Sequence, residues 1–125
     1  MILDTNGLSA LAEGDLKLEP LLRHAIEIAI PVIVLGEYTF GIRQSRDRKR
    51  YEKWLAWMIA NCRVLSVNER TAEQYAEVRD ELKRCGRPIP ANDLWIAALV
   101  KQHGMPLLSR DRHFDLVPGL KRVDW

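Results

Sequence analysis

Acidic side chains of this chain fall where the sequence pattern predicts the end of a buried strand. Asp4 directly follows the apolar residues 1–3, and Asp111 comes just past Leu107-Leu108-Ser109. Burying a charged group is costly unless it is paired or binds a metal. The carboxyl ends of neighbouring parallel strands meet at one edge of a sheet. If both strands are central and parallel, Asp4 and Asp111 therefore lie close together.

Two further acids lie on the apolar face of a predicted helix. Glu37 and Asp93 have apolar or small residues at helical spacing, namely Ile33, Val34, Phe40 and Gly41 for the first and Ile96, Ala97 and Val100 for the second. Acidic residues are rarely buried unless they have a partner. Asp93 is also in a first helical turn, where the helix dipole stabilises negative charge by about 0.3–1 kcal/mol. That stabilisation is too small to offset burial among other anions.

Carboxylates that crowd together repel one another, and some keep a proton unless a cation lies among them. The four acids offer only oxygen ligands, and we expect no histidine or cysteine to join them. Oxygen ligands suit hard cations, here Mg²⁺ or Mn²⁺. The pattern therefore predicts a divalent metal site. Thr5 and Asn6 are close enough in sequence to orient the Asp4 carboxylate or a bound water.

Each acid also has an ordinary structural interpretation. Asp4 could cap a helix, and Glu37 could pair with Arg43 or another cation. Asp93 could be a simple N-terminal helix charge, and Asp111 could be a turn residue between Arg110 and Arg112. Asp115 is a further acid near Asp111, more typical of a turn or a cap than of a ligand. These interpretations weaken when they are taken together, because the predicted sheet brings the acids to one edge.

The elements that must position these acids alternate between strand and helix. Strands are predicted at 1–3, about 27–30, 63–67, 106–109 and, at an edge, 121–125; helices are predicted at 6–13, 16–29, 31–45, 48–61, after the cap Asn68, and at 92–103. Strands separated by helices predict a parallel sheet covered on both faces. Ligands of such sheets bind beyond the carboxyl ends of the strands.

Length and composition predict a single globular domain over residues 1–125, with 47% hydrophobic and 29% charged residues. No run approaches the roughly 20 apolar residues of a membrane span, and Asp4 interrupts the first apolar stretch, so no signal peptide is visible. Cys62 and Cys85 are expected to be free thiols in a reducing cytoplasm. The net charge of +2 permits a nucleic-acid partner without arguing for one.

An ordered set of short motifs extends over nearly the whole chain. It comprises Asp4-Thr5-Asn6 with Leu8-Ser9-Ala10-Leu11, Val34-Leu35-Gly36-Glu37-Tyr38 with Gly41, Asp93-Leu94-Trp95-Ile96-Ala97-Ala98, Leu107-Leu108-Ser109-Arg110-Asp111 with Phe114, Val117-Pro118-Gly119-Leu120 and Val123-Asp124-Trp125. With this set the sequence resembles the PIN-domain ribonucleases, in particular the VapC-type toxins of bacterial and archaeal toxin–antitoxin pairs. It departs from them in having Ser109 where relatives often have threonine, and in a very short lead before Asp4.

The resemblance implies an α/β fold, an αβα sandwich with a central parallel sheet and helices on both faces, usually as a homodimer. It implies metal-dependent endonucleolytic cleavage of RNA in the cytoplasm by a type II toxin. The matching acids Asp4, Glu37, Asp93 and Asp111 are then the catalytic metal site, with Asp115 as a competing or additional member. It also implies a cognate antitoxin that wraps the toxin in a hetero-oligomer and places a basic side chain in the acidic site.

The expected reaction is hydrolysis of a phosphodiester bond, in which the metal polarises the phosphate and lowers the pKa of a bound water. In-line attack would leave a 3′-hydroxyl and a 5′-phosphate. Asp4 and Asp93 are expected to hold the ion directly. Glu37 and Asp111 would complete the shell through water or hold a second ion. The choice between Mg²⁺ and Mn²⁺ and the RNA target stay open at this stage.

A basic run, Arg43–Arg50, holds five basic residues and one acid. It is a candidate contact for RNA phosphates, and a solvated helix junction is the alternative. Trp54, Trp57 and Trp95 are more typical of core or dimer contacts than of platforms for base stacking.

Other functions are weighed against the ribonuclease. A phosphatase or phosphotransferase would use Asp4 as its nucleophile, but a haloacid-dehalogenase type of site wants a second acid where Asn6 stands. A receiver-like phosphoacceptor wants a lysine after a late strand, where Ser109-Arg110-Asp111 follows. A non-catalytic binding module is disfavoured by four intact acids. A further alternative is a PIN-domain nuclease that acts in RNA processing rather than as a toxin. Such nucleases usually carry extra domains, which a single-domain prediction does not favour.

Overall fold

The computed structural model describes residues 1–125 and contains one five-stranded sheet with six α-helices. The elements are β1 (Ile2–Leu3), α1 (Thr5–Ala12), a 3₁₀ turn (Leu16–Leu18), α2 (Glu19–Arg23), β2 (Ala29–Pro31), α3 (Val32–Arg43), α4 (Arg48–Asn61), β3 (Arg63–Leu65), α5 (Glu69–Arg84), α6 (Ala91–His103), β4 (Leu107–Leu108), a 3₁₀ helix (Arg112–Leu116) and β5 (Arg122–Val123). The strand order is β3-β2-β1-β4-β5, and every neighbouring pair is parallel. The predicted α/β fold with a central parallel sheet is confirmed.

The central strands are covered on both faces. Consecutive side chains of a strand point to opposite faces, and Ile2, Leu3, Leu107 and Leu108 are all fully buried. Strands buried on both faces are uniformly apolar rather than alternating. This is why two-residue strands such as β1 and β4 can form the middle of the sheet. Their register pairs Leu3 with Leu108, which places the next residues of both strands side by side.

The helix that precedes β2 differs from the prediction. The sequence favours one helix over residues 16–29, whereas the chain forms a 3₁₀ turn, the five-residue helix α2 and an irregular segment. Ile26, within the range of the predicted helix, is fully exposed. Ala29 instead donates a backbone hydrogen bond to Met1 O at 2.9 Å. Pairing with β1 therefore overrides the local helical spacing, and Pro31 ends β2 as the cap of α3 rather than lying in its first turn.

The helix ends follow the sequence signals closely. Asn68 caps α5 by accepting hydrogen bonds from the backbone of Arg70 and Thr71, and Thr71 Oγ1 accepts one from Asn68 N at 3.1 Å. Gly104 ends α6 with φ of 61°, a left-handed conformation that favours glycine. None of the helices combines the length and the apolar character of a bilayer-spanning segment.

Two of the three tryptophans considered as stacking platforms are half-buried against other aromatic side chains. Trp54 makes an edge-to-face contact with Tyr38, and Trp95 stacks on Tyr75 with ring centroids 4.0 Å apart. Both therefore serve as packing residues, in agreement with the prediction. Trp57 is 60% exposed and belongs to a surface of α4.

Candidate active site

Asp4 leaves the carboxyl end of β1 and caps α1. Its Oδ1 accepts a hydrogen bond from Thr5 N at 2.8 Å, and its own N–H donates to Leu108 O at 3.1 Å. The side chain is almost completely buried. The capping role considered from the sequence is therefore present, but it uses only one carboxylate oxygen. The second oxygen points toward β4.

Ser109 and Asn6 connect this second oxygen to the loop after β4. Ser109 Oγ donates to Asp4 Oδ2 at 2.6 Å and accepts from Asp111 N at 3.0 Å. Asn6 Nδ2 lies 3.4 Å from Asp4 Oδ2 and from Ser109 Oγ, and Asn6 Oδ1 accepts from Arg110 N at 3.1 Å. The sequence motifs include Ser109 but predict no role for it at the site. The structure shows it fully buried directly after β4 and in register with Asp4, where its hydroxyl holds the Asp4 carboxylate.

Glu37 extends from α3 toward the N-terminus of α1. Thr5 Oγ1 donates to Glu37 Oε2 at 2.9 Å, and Asn92 Nδ2 donates to Glu37 Oε1 at 3.1 Å. Arg43 makes no ion pair with it. The alternative interpretation of Glu37 as a partner of Arg43 is therefore not supported.

The surroundings of Glu37 in the helix also differ from the prediction. The buried stripe of α3 consists of Val34, Tyr38 and Ile42, and Phe40 is 69% exposed. Glu37 lies beside this stripe and is only partly buried. Its hydrogen-bond partners come from α1 and α6, so its carboxylate faces the ends of these helices rather than the core.

Asp93 and Asp111 meet at a histidine. Asp93 is in the first turn of α6, and Asp111 caps the 3₁₀ helix by accepting from His113 N at 2.9 Å. His113 Nδ1 lies 3.1 Å from Asp93 Oδ2 and 3.2 Å from Asp111 Oδ1. One ligand atom from each of the three residues falls within 4.8 Å of the others. The expectation that no histidine joins the acids is therefore wrong.

The reason that His113 escaped prediction is the geometry of the turn. An aspartate that accepts a hydrogen bond from the residue two positions later bends the chain back toward itself. That bend brings the His113 imidazole back to the Asp111 carboxylate. The periodicities of strands and helices do not place residues 111 and 113 of such a turn next to the other acids. The pattern of an acid followed two residues later by histidine, next to buried Phe114, is the signal that was available.

The carboxylates influence one another electrostatically. Burial raises the pKa of Asp4, and the charges of Glu37 and Asp111 raise it further, against the hydrogen bonds from Ser109 and Thr5. Burial likewise raises the pKa of Asp93, with added contributions from the charges of Asp111 and Asp4. The hydrogen bond to Asp93, followed by the charge of Asp111, raises the pKa of His113. Burial is the main cause of both aspartate shifts, and the smaller repulsion between the carboxylates is the part that a bound cation would relieve.

Asp115 lies outside this group of acids. Arg122 Nε and Nη2 donate to its two carboxylate oxygens at 2.7 and 2.9 Å. These hydrogen bonds lower the pKa of Asp115. Between the two candidates for the fourth acid, Asp111 is the one that contacts the other site residues.

Asp93, Asp111 and His113 lie close enough together to hold a divalent cation, whereas Asp4 and Glu37 are outside this compact group and are connected to it through hydrogen bonds. Asp4, Glu37, Asp93 and Asp111 are joined through Thr5, Ser109 and His113 at the carboxyl edge of β1 and β4. No lysine or arginine forms an ion pair with any of these four acids. The only basic side chain beside them is His113, and carboxylates are the oxygen ligands that Mg²⁺, Mn²⁺ and Ca²⁺ use.

The fold and the site together define an α/β domain with a carboxylate centre at the end of its parallel sheet. Residues 1–120 match the model of the PIN domain, and the chain belongs to this family. It is 28% identical over 125 residues to ribonuclease VapC5 of Mycobacterium tuberculosis, covering 98% of this chain and 91% of that protein.

Two further relatives agree with this assignment. The chain is 27% identical over 100 residues to the tRNA(fMet)-specific endonuclease VapC of Shigella flexneri, covering 79% of this chain and 76% of that protein. The structure of VapBC2 from Rickettsia felis, bound to a DNA fragment from its promoter, is similar with a TM-score of 0.84 and 26% identity, covering 99% of this chain and 97% of that chain. The resemblance drawn from the sequence motifs is thereby confirmed.

Proposed function

We propose that this protein is a metal-dependent endoribonuclease that acts as the toxin of a type II toxin–antitoxin pair. The observation that carries the proposal is the convergence of Asp4, Glu37, Asp93 and Asp111 without any lysine or arginine partner. Relatives named as ribonucleases and as a tRNA endonuclease support RNA as the substrate. We assign the whole of residues 1–125 to a single PIN domain, which works as a homodimer.

Mg²⁺ or Mn²⁺ is the proposed cofactor. Asp4 and Asp93 would bind the ion directly, and Glu37 and Asp111 would complete its coordination shell. When bound, such a cation supplies the Lewis acidity that polarises a phosphate and acidifies water. Ser109 fixes the Asp4 carboxylate, while Thr5 and Asn92 fix that of Glu37. This orientation matters because a catalytic group misplaced by about 1 Å can cost about 100-fold in rate.

Glu37 or Asp111 is the proposed general base of the reaction. Both residues are less buried than Asp4 and are therefore more accessible to water. One of them accepts the proton of the attacking water, and the products are a 3′-hydroxyl and a 5′-phosphate. No side chain of the protein needs to form a covalent bond with the substrate.

An antitoxin is the proposed protein partner. The Rickettsia felis relative is a VapBC pair, in which a second protein accompanies the toxin. The four acids have no lysine or arginine partner within this chain, so they suit an arginine from such a partner protein, because guanidinium binds carboxylates through paired hydrogen bonds. We propose that the antitoxin inhibits the enzyme by placing a basic side chain among these acids.

The phosphatase alternative fits the geometry less well. Both oxygens of Asp4 already accept hydrogen bonds, from Thr5 on one side and from Ser109 on the other. The side chain is only 5% exposed. A nucleophilic aspartate must reach the substrate phosphorus, and Asn6 occupies the position where a phosphatase of this type wants its second acid.

The test is cleavage of structured RNAs by the purified protein, with and without EDTA, followed by mapping of the cut ends. We expect EDTA to abolish cleavage and Mg²⁺ or Mn²⁺ to restore it. Asp4→Asn should reduce the rate by at least about 100-fold while circular dichroism stays unchanged. Asp80→Asn, on the exposed face of α5, is the matched control and should keep full activity. Wild-type rates for Asp4→Asn would refute the assignment.

A further inference from the structure

Beyond the four acids, the site contains an imidazole spaced like a metal ligand. Ligands at about 2.1 Å from an octahedral ion lie about 3 Å apart when they are adjacent. His113 Nδ1 lies 3.1 Å from Asp93 Oδ2 and 3.2 Å from Asp111 Oδ1. Without a metal, these two contacts are hydrogen bonds from the imidazole to the carboxylates. We infer that on metal binding His113 Nδ1 releases this proton to solvent and becomes a nitrogen ligand of the metal centre, next to Asp93 and Asp111. This inference depends on the proposed function in that it assumes the acids hold a cation.

The local backbone holds His113 in place before any cation binds. The cap from Asp111 Oδ1 to His113 N, at 2.9 Å, sets the first turn of the 3₁₀ helix. The next residue, Phe114, is fully buried and anchors this turn in the core. The imidazole has no polar side-chain partner other than Asp93 and Asp111, although about half of it is exposed. Its orientation toward the acids is therefore set by the fold.

A nitrogen ligand changes which metal the site prefers. Imidazole suits transition metals, whereas Mg²⁺ takes oxygen ligands almost exclusively. Sites with nitrogen and oxygen ligands bind divalent ions with affinities that rise from Mn²⁺ through Co²⁺ to Ni²⁺. We therefore expect this protein to bind Mn²⁺ more tightly than Mg²⁺ at equal free concentrations, and we expect His113 to cause that difference in affinity.

The competing explanation gives the imidazole a different role. His113 could serve only as a counter-ion that holds Asp93 and Asp111 together until a cation displaces it. Removing a ligand weakens metal binding, whereas removing a displaced counter-ion strengthens it. The two explanations therefore predict opposite changes in metal affinity for the same substitution.

The experiment measures metal binding to the full chain without RNA. Calorimetric titrations with Mn²⁺ and with Mg²⁺ compare the wild type, His113→Ala and the control His24→Ala, whose histidine is exposed after α2. We expect His113→Ala to lose at least about tenfold in Mn²⁺ affinity, and clearly less in Mg²⁺ affinity. His24→Ala should match the wild type. Unchanged or higher Mn²⁺ affinity in His113→Ala would overturn the inference.

A spectroscopic measurement keeps the test independent of the variant's folding. Pulsed electron paramagnetic resonance of the Mn²⁺-loaded wild type should show a directly coordinated nitrogen, which selective ¹⁵N labelling of histidine would shift. A spectrum without such nitrogen coupling would refute His113 as a metal ligand but would leave the proposed metal centre of the acids intact. Absence of any Mn²⁺ or Mg²⁺ binding by the wild type would instead refute the metal centre itself, so the two failures are distinguishable.

Discussion

Ser109 Oγ lies 2.6 Å from Asp4 Oδ2, and this hydrogen bond joins the ends of the two strands at the middle of the sheet. The same hydroxyl accepts from Asp111 N, so one serine fixes two of the four acids. The register of β1 and β4 places these residues side by side. Positioning of the carboxylates is therefore a direct consequence of how the two strands pair.

Ser109→Ala should destabilise the protein and lower its activity. The substitution leaves Asp4 Oδ2 and Asp111 N without their buried hydrogen-bond partner, which costs about 1–3 kcal/mol in unfolding free energy. Urea unfolding in EDTA measures the stability, and RNA cleavage measures the effect on the acids. Ser66→Ala, at an exposed serine after β3, is the control and should change neither. Wild-type stability in Ser109→Ala would show that the contact is dispensable.

Asp4→Asn should stabilise the metal-free protein at neutral pH while it abolishes cleavage. Burial raises the pKa of Asp4, so the folded state takes up its proton more readily than the unfolded state does. The stability that Asp4 contributes is therefore present at low pH and is lost as the pH rises through the raised pKa. Asparagine has no such ionisation, and the advantage of Asp4→Asn should grow between about pH 4 and pH 7.

Urea unfolding of both proteins in EDTA at these two pH values tests this expectation. The exposed Asp80→Asn substitution is the control and should shift the free energy of unfolding by less than about 0.5 kcal/mol. A lower stability of Asp4→Asn at neutral pH would contradict the prediction. It would mean that the hydrogen bonds of Asp4 outweigh the cost of its buried charge.

Gly7→Ala should destabilise α1, and the reason is a close approach between the helix and the sheet. A Cβ at Gly7 would lie 2.9 Å from the backbone oxygen of Leu108, closer than side chains tolerate. Relief requires α1 to move away from β4, which costs about 1–3 kcal/mol. Gly36→Ala is the control, because nothing lies within 4 Å of its added Cβ. That exposed helical position should gain about 0.5–1 kcal/mol from alanine. Equal effects in the two variants, measured by urea unfolding, would contradict the packing argument.

The sequence predicts most of the sheet and its covering helices because their signals are local. Helix α4 has the predicted bounds, and Asn68 caps α5 as its position before the helix indicates. The predicted helix over 16–29 is wrong because the pairing of Ala29 with β1 is a contact between distant residues. The pattern of residues within 16–29 cannot indicate a contact with a distant strand.

The sequence predicts which acids form the candidate site, but it does not predict how their side chains are arranged. Strand order and register place Asp4 beside Ser109, and neither can be read from local periodicity. The face of α3 on which Glu37 lies was predicted from its apolar neighbours, yet Phe40 is exposed. His113 reaches the acids through a capped turn rather than through a regular element. Strand register and side-chain hydrogen bonds in turns therefore account for the site geometry that the sequence does not predict.

The basic run Arg43–Arg50 should contribute to RNA binding. Within it, Arg48 pairs with Glu52 and Arg50 pairs with Asp47. Exposed ion pairs of this kind contribute about 0–1 kcal/mol, so they leave both arginines free to exchange partners for phosphates. Replacing residues 48–50 by alanine should weaken RNA binding and flatten its salt dependence.

The measurement is RNA affinity in EDTA, which prevents cleavage, at several salt concentrations. Each lost phosphate contact lowers the slope of log affinity against log salt by about 0.7–0.9. The control replaces three exposed cations of another surface, Lys83, Arg84 and Arg87, and changes the net charge equally. If the run only increases the overall positive charge, both triple variants should flatten the slope to the same degree. A change confined to the 48–50 variant therefore places the RNA backbone at the junction of α3 and α4, and an unchanged slope there excludes it.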